Sequence, residues 1–205
     1  MSRGIKIAVT LTFSVFVLLI SLYLFRYNRI INQIDIEQNE LDIVYGVDEA
    51  PLTIYIFTNY SCKFCRNFFR ESFPRLKDEF IDTKKIRLVV KLVDLTHTEQ
   101  VKKSLMLSVC INQCGNVKPL DKLLFTEPNV IYTDEFTQLI NDFIDENEYI
   151  AECMLSGRAE KYILSNNDYF KHISLTGTPT LIINNKIYKG FKDYESIRDV
   201  ILKEL

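Results

Sequence analysis

Cys62 and Cys65 stand with two residues between them in "TNYSCKFCRNFF" (58–69), aromatics on either side. A C-x-x-C pair either exchanges disulfides or supplies half of a zinc site, and the motif alone does not separate the two. Its setting is more telling. "LTIYIFT" (52–58) is a short apolar, β-branched and aromatic run that predicts a buried strand. Beyond Cys62, Phe68, Phe69, Phe73, Leu76 and Phe80 recur on one helical face. A cysteine between such a strand and helix sits at the helix N-terminus, where unpaired backbone N–H groups and the macrodipole favour an anion. Positions of this kind bring a thiol pKa from about 8.5 to as little as about 3.5. Lys63 and Arg66 add positive charge. Cys65, one helical turn deeper, is expected to be the sheltered partner that resolves a mixed disulfide made at Cys62. The zinc reading finds a second half in "CINQC", Cys110 and Cys114, but a pair at the start of a helix is poorly placed for a zinc knuckle. No metal is expected.

A second candidate is "GTPT" (177–180), where Pro179 precedes a strand-like run. The trans preference of an X-Pro bond is only about 0.5–1 kcal/mol, so a cis bond is accessible. A proline at the edge of a sheet leaves the preceding backbone free to pair with an extended substrate.

The elements that must hold these residues follow from pattern. "IRLVVKLVD" (86–94) reads as a second strand, and Pro74 should kink the helix before it. Thr96 and Glu99 look like a capping box opening a helix through Val101, Leu105 and Val109. Residues 134–147 are amphipathic, and two more helical stretches part at Ser156-Gly157. Thr180–Ile183 and Ile187–Lys189 form a hairpin about Asn184-Asn185, and Asp193 can N-cap a last helix. Cys110, Cys114 and Cys153 all fall in the helical block. Either of the first two can bridge to Cys153, or all three are plain buried cysteines; Cys110 and Cys114, one turn apart, are badly placed for each other. His97 reads as a turn histidine and His172 as structural or exposed.

The ends of the chain and its charge bound the rest. Residues 7–25 carry no charge and approach the roughly 20 needed to cross a bilayer, with Arg26, Tyr27 and Arg29 as interfacial anchors. We read 1–25 as an uncleaved signal anchor, 26–48 as a stalk, and 49–205 as the folded domain, with a helical insertion over about 96–173. Among 205 residues, Lys+Arg number 25 against Asp+Glu 27, a net charge of −2 that gives no electrostatic reason to expect nucleic acid.

Over roughly residues 45–205 the chain resembles the DsbA-like branch of the thioredoxin superfamily. The resemblance rests on "IFTNYSCKFCRNFFRESFPRL", on "LTGTPTLIINNKIYKG", and on a Cys62-to-Pro179 distance that leaves room for a helical subdomain. It implies an α/β, thioredoxin-like fold with that subdomain inserted, here preceded by one transmembrane helix. Carried over by position, Cys62 is the nucleophile, Cys65 the resolving thiol, Pro179 a cis-proline facing them, and Thr178 a source of backbone contacts to substrate. No bound cofactor is implied. A quinone-linked membrane oxidase is implied as the reoxidising partner. Three departures stand out: Lys63 replaces a frequent proline, Phe64 the histidine of strong oxidases, and Ile56 the buried acid of many relatives. Lys91, in the second strand, is by analogy the nearest candidate to relay a proton in place of that acid. The reading is a cell-membrane, single-pass thiol–disulfide oxidoreductase with its catalytic domain extracytoplasmic, introducing disulfides into exported proteins with cysteines. The alternatives are a reductase or isomerase on the same fold, or a non-enzymatic chaperone or assembly factor.

Overall fold

In the computed structural model, which describes residues 13–24, 34–127 and 129–205, the apolar runs become one five-stranded sheet. Its strands are β1 (Ile43–Tyr45), β2 (Leu52–Thr58), β3 (Ile86–Leu92), β4 (Thr180–Ile183) and β5 (Lys186–Lys189), in the order β1-β3-β2-β4-β5. β2 and β3 are parallel, with Ile54 opposite Leu88 and Phe57 opposite Lys91; β1 joins β3, and β4 and β5 extend β2, all antiparallel. A parallel pair needs a crossover. Here it is the helical run α2, from α-helical Lys63–Asn67 and Phe73–Leu76 to π-helical Phe68–Ser72 and Lys77–Ile81.

The expected kink at Pro74 takes the form of a π turn. Pro74 has no N–H to donate to the preceding turn, and the widened turn Phe68–Ser72 sits just before it, with Phe73 N–H bonded to the Phe68 carbonyl. The inserted subdomain contains α3 (Glu99–Cys114), α4 (Lys118–Thr126), a 3-10 turn Val130–Tyr132, α5 (Asp134–Glu146), α6 (Glu148–Leu155) and α7 (Arg158–His172); α8 (Tyr194–Glu204) closes the chain. Local rules set several boundaries. Thr133 and Asn147 accept N–H bonds from Phe136 and Ile150 at the starts of α5 and α6, and Asp193 accepts from Ser196 N at the start of α8. Asn184 and Asn185 both take positive φ, 47° and 62°, the pairing that a two-residue hairpin turn requires.

Two expectations fail. The Thr96–Glu99 capping box does not form: Thr98 is the N-cap of α3, and Thr96 N and Oγ1 each lie 3.0 Å from Asp94 Oδ1 in a side-chain-closed turn. The stalk is also too long as drawn. The folded unit begins at Glu37, and β1 pairs with β3 inside the segment assigned to the stalk. Leu41, Asp42, Ile43 and Tyr45 are buried there. Gly46 ends β1 at φ 105°, where an added Cβ would lie 2.8 Å from the Ile86 carbonyl oxygen, so only glycine permits this approach to β3.

Residues Met1–Ile36 form a separate unit, of which residues 13–24 are helical (α1) with exposed Phe13, Phe16, Leu18 and Leu19. Among the described residues no helix is long and apolar enough to cross a membrane. The remainder of the expected anchor, 1–12 and Phe25, and the first part of the stalk lie outside the described residues.

Candidate functional site

The turn that ends β2 is built by Asn59. Its Oδ1 accepts from Ser61 N at 2.8 Å and Ser61 Oγ at 2.6 Å, its Nδ2 donates to the Val93 carbonyl at 2.7 Å, and its own carbonyl accepts from Cys62 N. Cys62 thereby becomes the N-cap of α2, extended at φ −78°, ψ 117°. Arg66 reaches back to the carbonyls of Tyr60 (3.3 Å) and Ser61 (2.7 Å). Its guanidinium therefore braces the loop; its bonds go to these carbonyls.

Cys62 is half-buried and Cys65 fully buried. The Cys62 thiol is lowered to about 5 from 9.0, first by a hydrogen bond from the Cys65 thiol. Burial opposes the shift, while the Thr178 side chain and the backbone N–H groups of Cys65 and Phe64 assist it. Cys65 moves the other way: burial, then the neighbouring Cys62, push its thiol far up, against smaller contributions from Thr178 and Thr58. The spacing thus separates two chemically identical groups into an anion and an acid. Thr178 faces them across a cis bond to Pro179, and its carbonyl oxygen is 3.2 Å from Cys62 Sγ. That contact holds only the protonated thiol; once the proton leaves, the side-chain and N–H donors take over. The Pro179 carbonyl is held by Gly190 N at 2.8 Å.

The structure brings Cys62, Cys65, Thr178 and Pro179 together. Lys91 lies elsewhere in its bonding. Its ammonium is 2.8 Å from Asp42 Oδ2 and 2.8 Å from the Glu37 carbonyl, nearly fully buried, and Asp42 Oδ1 accepts from Tyr162 Oη at 2.6 Å. Cys110 on α3 and Cys153 on α6 form a disulfide, and Cys114 is an exposed free thiol. His97 has φ 56° and its N–H donates to Asp94, as a turn residue, and His172 lies beside Tyr169. Lys63 and Phe64 are exposed. Among the described residues no group of acidic, histidine or cysteine side chains could hold a metal ion.

Two features escape sequence reasoning. Thr58, the last residue of β2, has a buried hydroxyl that makes no hydrogen bond among the described residues while Cys65 is a thiol, yet lies close enough to favour its thiolate. Asp121, buried on α4, accepts from Tyr45 Oη at 2.8 Å and from Tyr60 Oη, and burial raises its carboxyl to about 6. The only sequence signal for Asp121 is an acid among apolar neighbours, which many surface helices share.

A strand delivering C-x-x-C to a helix N-terminus, faced by a cis-proline before an antiparallel hairpin, is the thioredoxin architecture. The chain belongs to the thioredoxin family: the family model described as Thioredoxin matches residues 38–203. It is similar to disulfide bond formation protein D of Bacillus subtilis, 26% identical over 79% of this chain and 76% of that protein. A putative protein-disulfide oxidoreductase of Rickettsia conorii is 22% identical over 80% of this chain, which spans only 60% of the Rickettsia protein's length. Among solved structures, alpha-DsbA1 of Wolbachia pipientis superposes with a TM-score of 0.68 at 20% identity, covering 82% of this chain and 92% of that one. Oxidised BdbD of Bacillus subtilis gives 0.66 at 23% identity, covering 80% and 93%.

Proposed function

We propose that this chain is a DsbA-like protein thiol–disulfide oxidoreductase that is anchored in the membrane and introduces disulfides into exported proteins. The observation that carries the reading is the split between Cys62, lowered to about 5, and buried Cys65, raised, beside the cis Thr178–Pro179 bond. The named relatives, a disulfide bond formation protein and a protein-disulfide oxidoreductase, support the same activity.

In the oxidised chain a substrate thiolate attacks Cys62 Sγ, forming a mixed disulfide and expelling Cys65 as its thiolate. The Thr58 hydroxyl and the Thr178 side chain favour that leaving thiolate, which then takes a proton. A second substrate thiolate attacks the substrate sulfur and releases Cys62, which leaves readily because its anion is stabilised. Two substrate thiols become one disulfide, and the two electrons end on Cys62 and Cys65. A quinone-linked membrane oxidase is the proposed acceptor that removes them. Thr178, ahead of Pro179, offers backbone to an extended substrate segment. The uncharged run 7–25 supports membrane anchoring, and disulfide formation suits an extracytoplasmic domain.

The test is stoichiometric oxidation of a reduced two-cysteine peptide by the oxidised full chain, with equilibration against glutathione. Disulfide formation that disappears in Cys62→Ser, and a potential above thioredoxin's roughly −270 mV, support the oxidase. A potential at or below that value favours the reductase. Absence of exchange leaves the non-enzymatic reading. Reporter fusions after residue 45 test location; a cytoplasmic signal overturns the exported role.

A further inference from the structure

On the flank of α2 a cleft of about 420 Å³ opens between that helix, β1 and α4. This falls within the roughly 300–1,000 Å³ of small-molecule sites. Its floor is aromatic. Phe69 and Phe125 stack at 3.9 Å between centroids and 10° between planes, Phe73 lies 5.2 Å from Phe69, and Tyr45 meets Phe73 edge-on at 4.9 Å. Its rim is cationic, with Arg70, Lys77, Lys118 and Lys122. The one acid in the lining, Asp121, is buried with its oxygens engaged by Tyr45 and Tyr60, so it offers a cationic ligand nothing.

The rim charges differ in their commitments. Arg70 pairs with Glu71 and Lys77 with Asp82, both exposed pairs that are easily exchanged. Lys118 is directed over the Tyr45 ring, 5.7 Å from its centroid, and exposed Lys122 stands one turn later on α4. Neither forms an ion pair among the described residues. Two ammonium groups without an ion pair among the described residues, above an aromatic floor, are complementary to one chemistry. We propose that this cleft binds a small aromatic anion, its ring system lying on Phe69, Phe73 and Phe125 and its carboxylate or sulfonate on Lys118 and Lys122. None of these residues belongs to the thiol site, so the proposal stands apart from the redox reading.

The probe is 2-naphthoate, titrated into the full chain in phosphatidylcholine nanodiscs; the chain has no tryptophan, so the naphthyl fluorescence is read without interference. Empty nanodiscs give the background. The expected result is one-to-one binding with a dissociation constant of about 100 µM, weakened about tenfold or more in K118E/K122E and by added salt. The Lys171→Glu variant, on α7, and Cys62→Ser should bind as the parent does. Decanoate should bind more weakly than 2-naphthoate, and neutral 2-naphthylmethanol more weakly again. Insensitivity to K118E/K122E with circular dichroism unchanged, stoichiometry well above one, or no binding at millimolar probe overturns the proposal. Tighter binding of decanoate overturns the aromatic class.

Discussion

The molecule carries two cysteine pairs, and they differ in everything but their atoms. Cys62 and Cys65 share one helix start, half-open to solvent, where backbone N–H groups and the neighbouring thiol hold one sulfur as an anion. Cys110 and Cys153 come from two packed helices, both sulfurs in the core, and are joined in a bridge that spans 43 residues of sequence. Reactivity follows from the first arrangement and endurance from the second. A disulfide is labile where its leaving sulfur is stabilised and a thiolate can reach it, and inert where neither holds.

The largest effect that would break this contrast is at Cys65. In Cys65→Ser no Cys62–Cys65 disulfide can form, so oxidation of the reduced peptide should stop. Offered oxidised glutathione, the Cys62 thiolate displaces one glutathione and keeps the other as a mixed disulfide that no neighbouring thiol releases, which intact-mass measurement without reductant reads directly. Equivalent adducts at Cys110 or Cys153 would mean the second pair is no mere brace. Next, replacing Cys110 and Cys153 together by alanine should cost about 2–5 kcal/mol in denaturant unfolding. The thiolate absorbance titration of Cys62 should stay near 5 in that variant. A shift there would couple the two pairs.

A medium effect concerns pH. Cys62 lies below its ordinary 9.0, so its contribution to the reduced chain's stability is complete above that value and is lost as pH falls towards about 5. Stability of the reduced chain should therefore rise with pH across that window, and no slope should come from the bonded Cys110–Cys153. Because only Cys65 then takes up a proton on reduction, the potential should fall by about 30 mV per pH unit above pH 5, half the two-proton slope. A full two-proton slope near neutrality would reject the assignment. The smallest effect is at Thr58→Val, which removes a donor to the leaving sulfur. Formation of the mixed disulfide by attack on the Cys62–Cys65 bond should slow by about tenfold at most, with the Cys62 titration unmoved. Thr58→Ser should restore the rate.

How much of this was legible follows from the range of each interaction. The cysteine pair between strand and helix, the Asn184-Asn185 turn and the Asp193 cap rest on neighbours in sequence, and each is found where those rules put it. β1 was hidden because a strand of three residues, Ile43–Tyr45, has too little pattern to separate from a stalk. α4 was passed over because Val117 caps it without a side-chain bond. Tyr60 and Asp121 meet across 61 residues, Lys91 and Asp42 across a sheet edge. Such pairs are fixed by packing, which leaves no periodicity to read. Lys91, a relay candidate by analogy alone, has its ammonium bonded to Asp42 and to the Glu37 carbonyl, partners that no pattern in its strand foretells.

The outer strand β5 has a consequence for how copies of the molecule tolerate one another at high concentration. It is one of the sheet's two edges, with Lys186, Ile187 and Lys189 exposed. An open edge is a template for another chain's strand. Two β5 strands zipped antiparallel would set the lysines of one copy against those of the other, and like charges facing across a ladder are repelled. Lys186 is held in place on this edge by Glu204, and Lys189 has no ion pair among the described residues. The sheet can therefore remain unfinished without becoming adhesive.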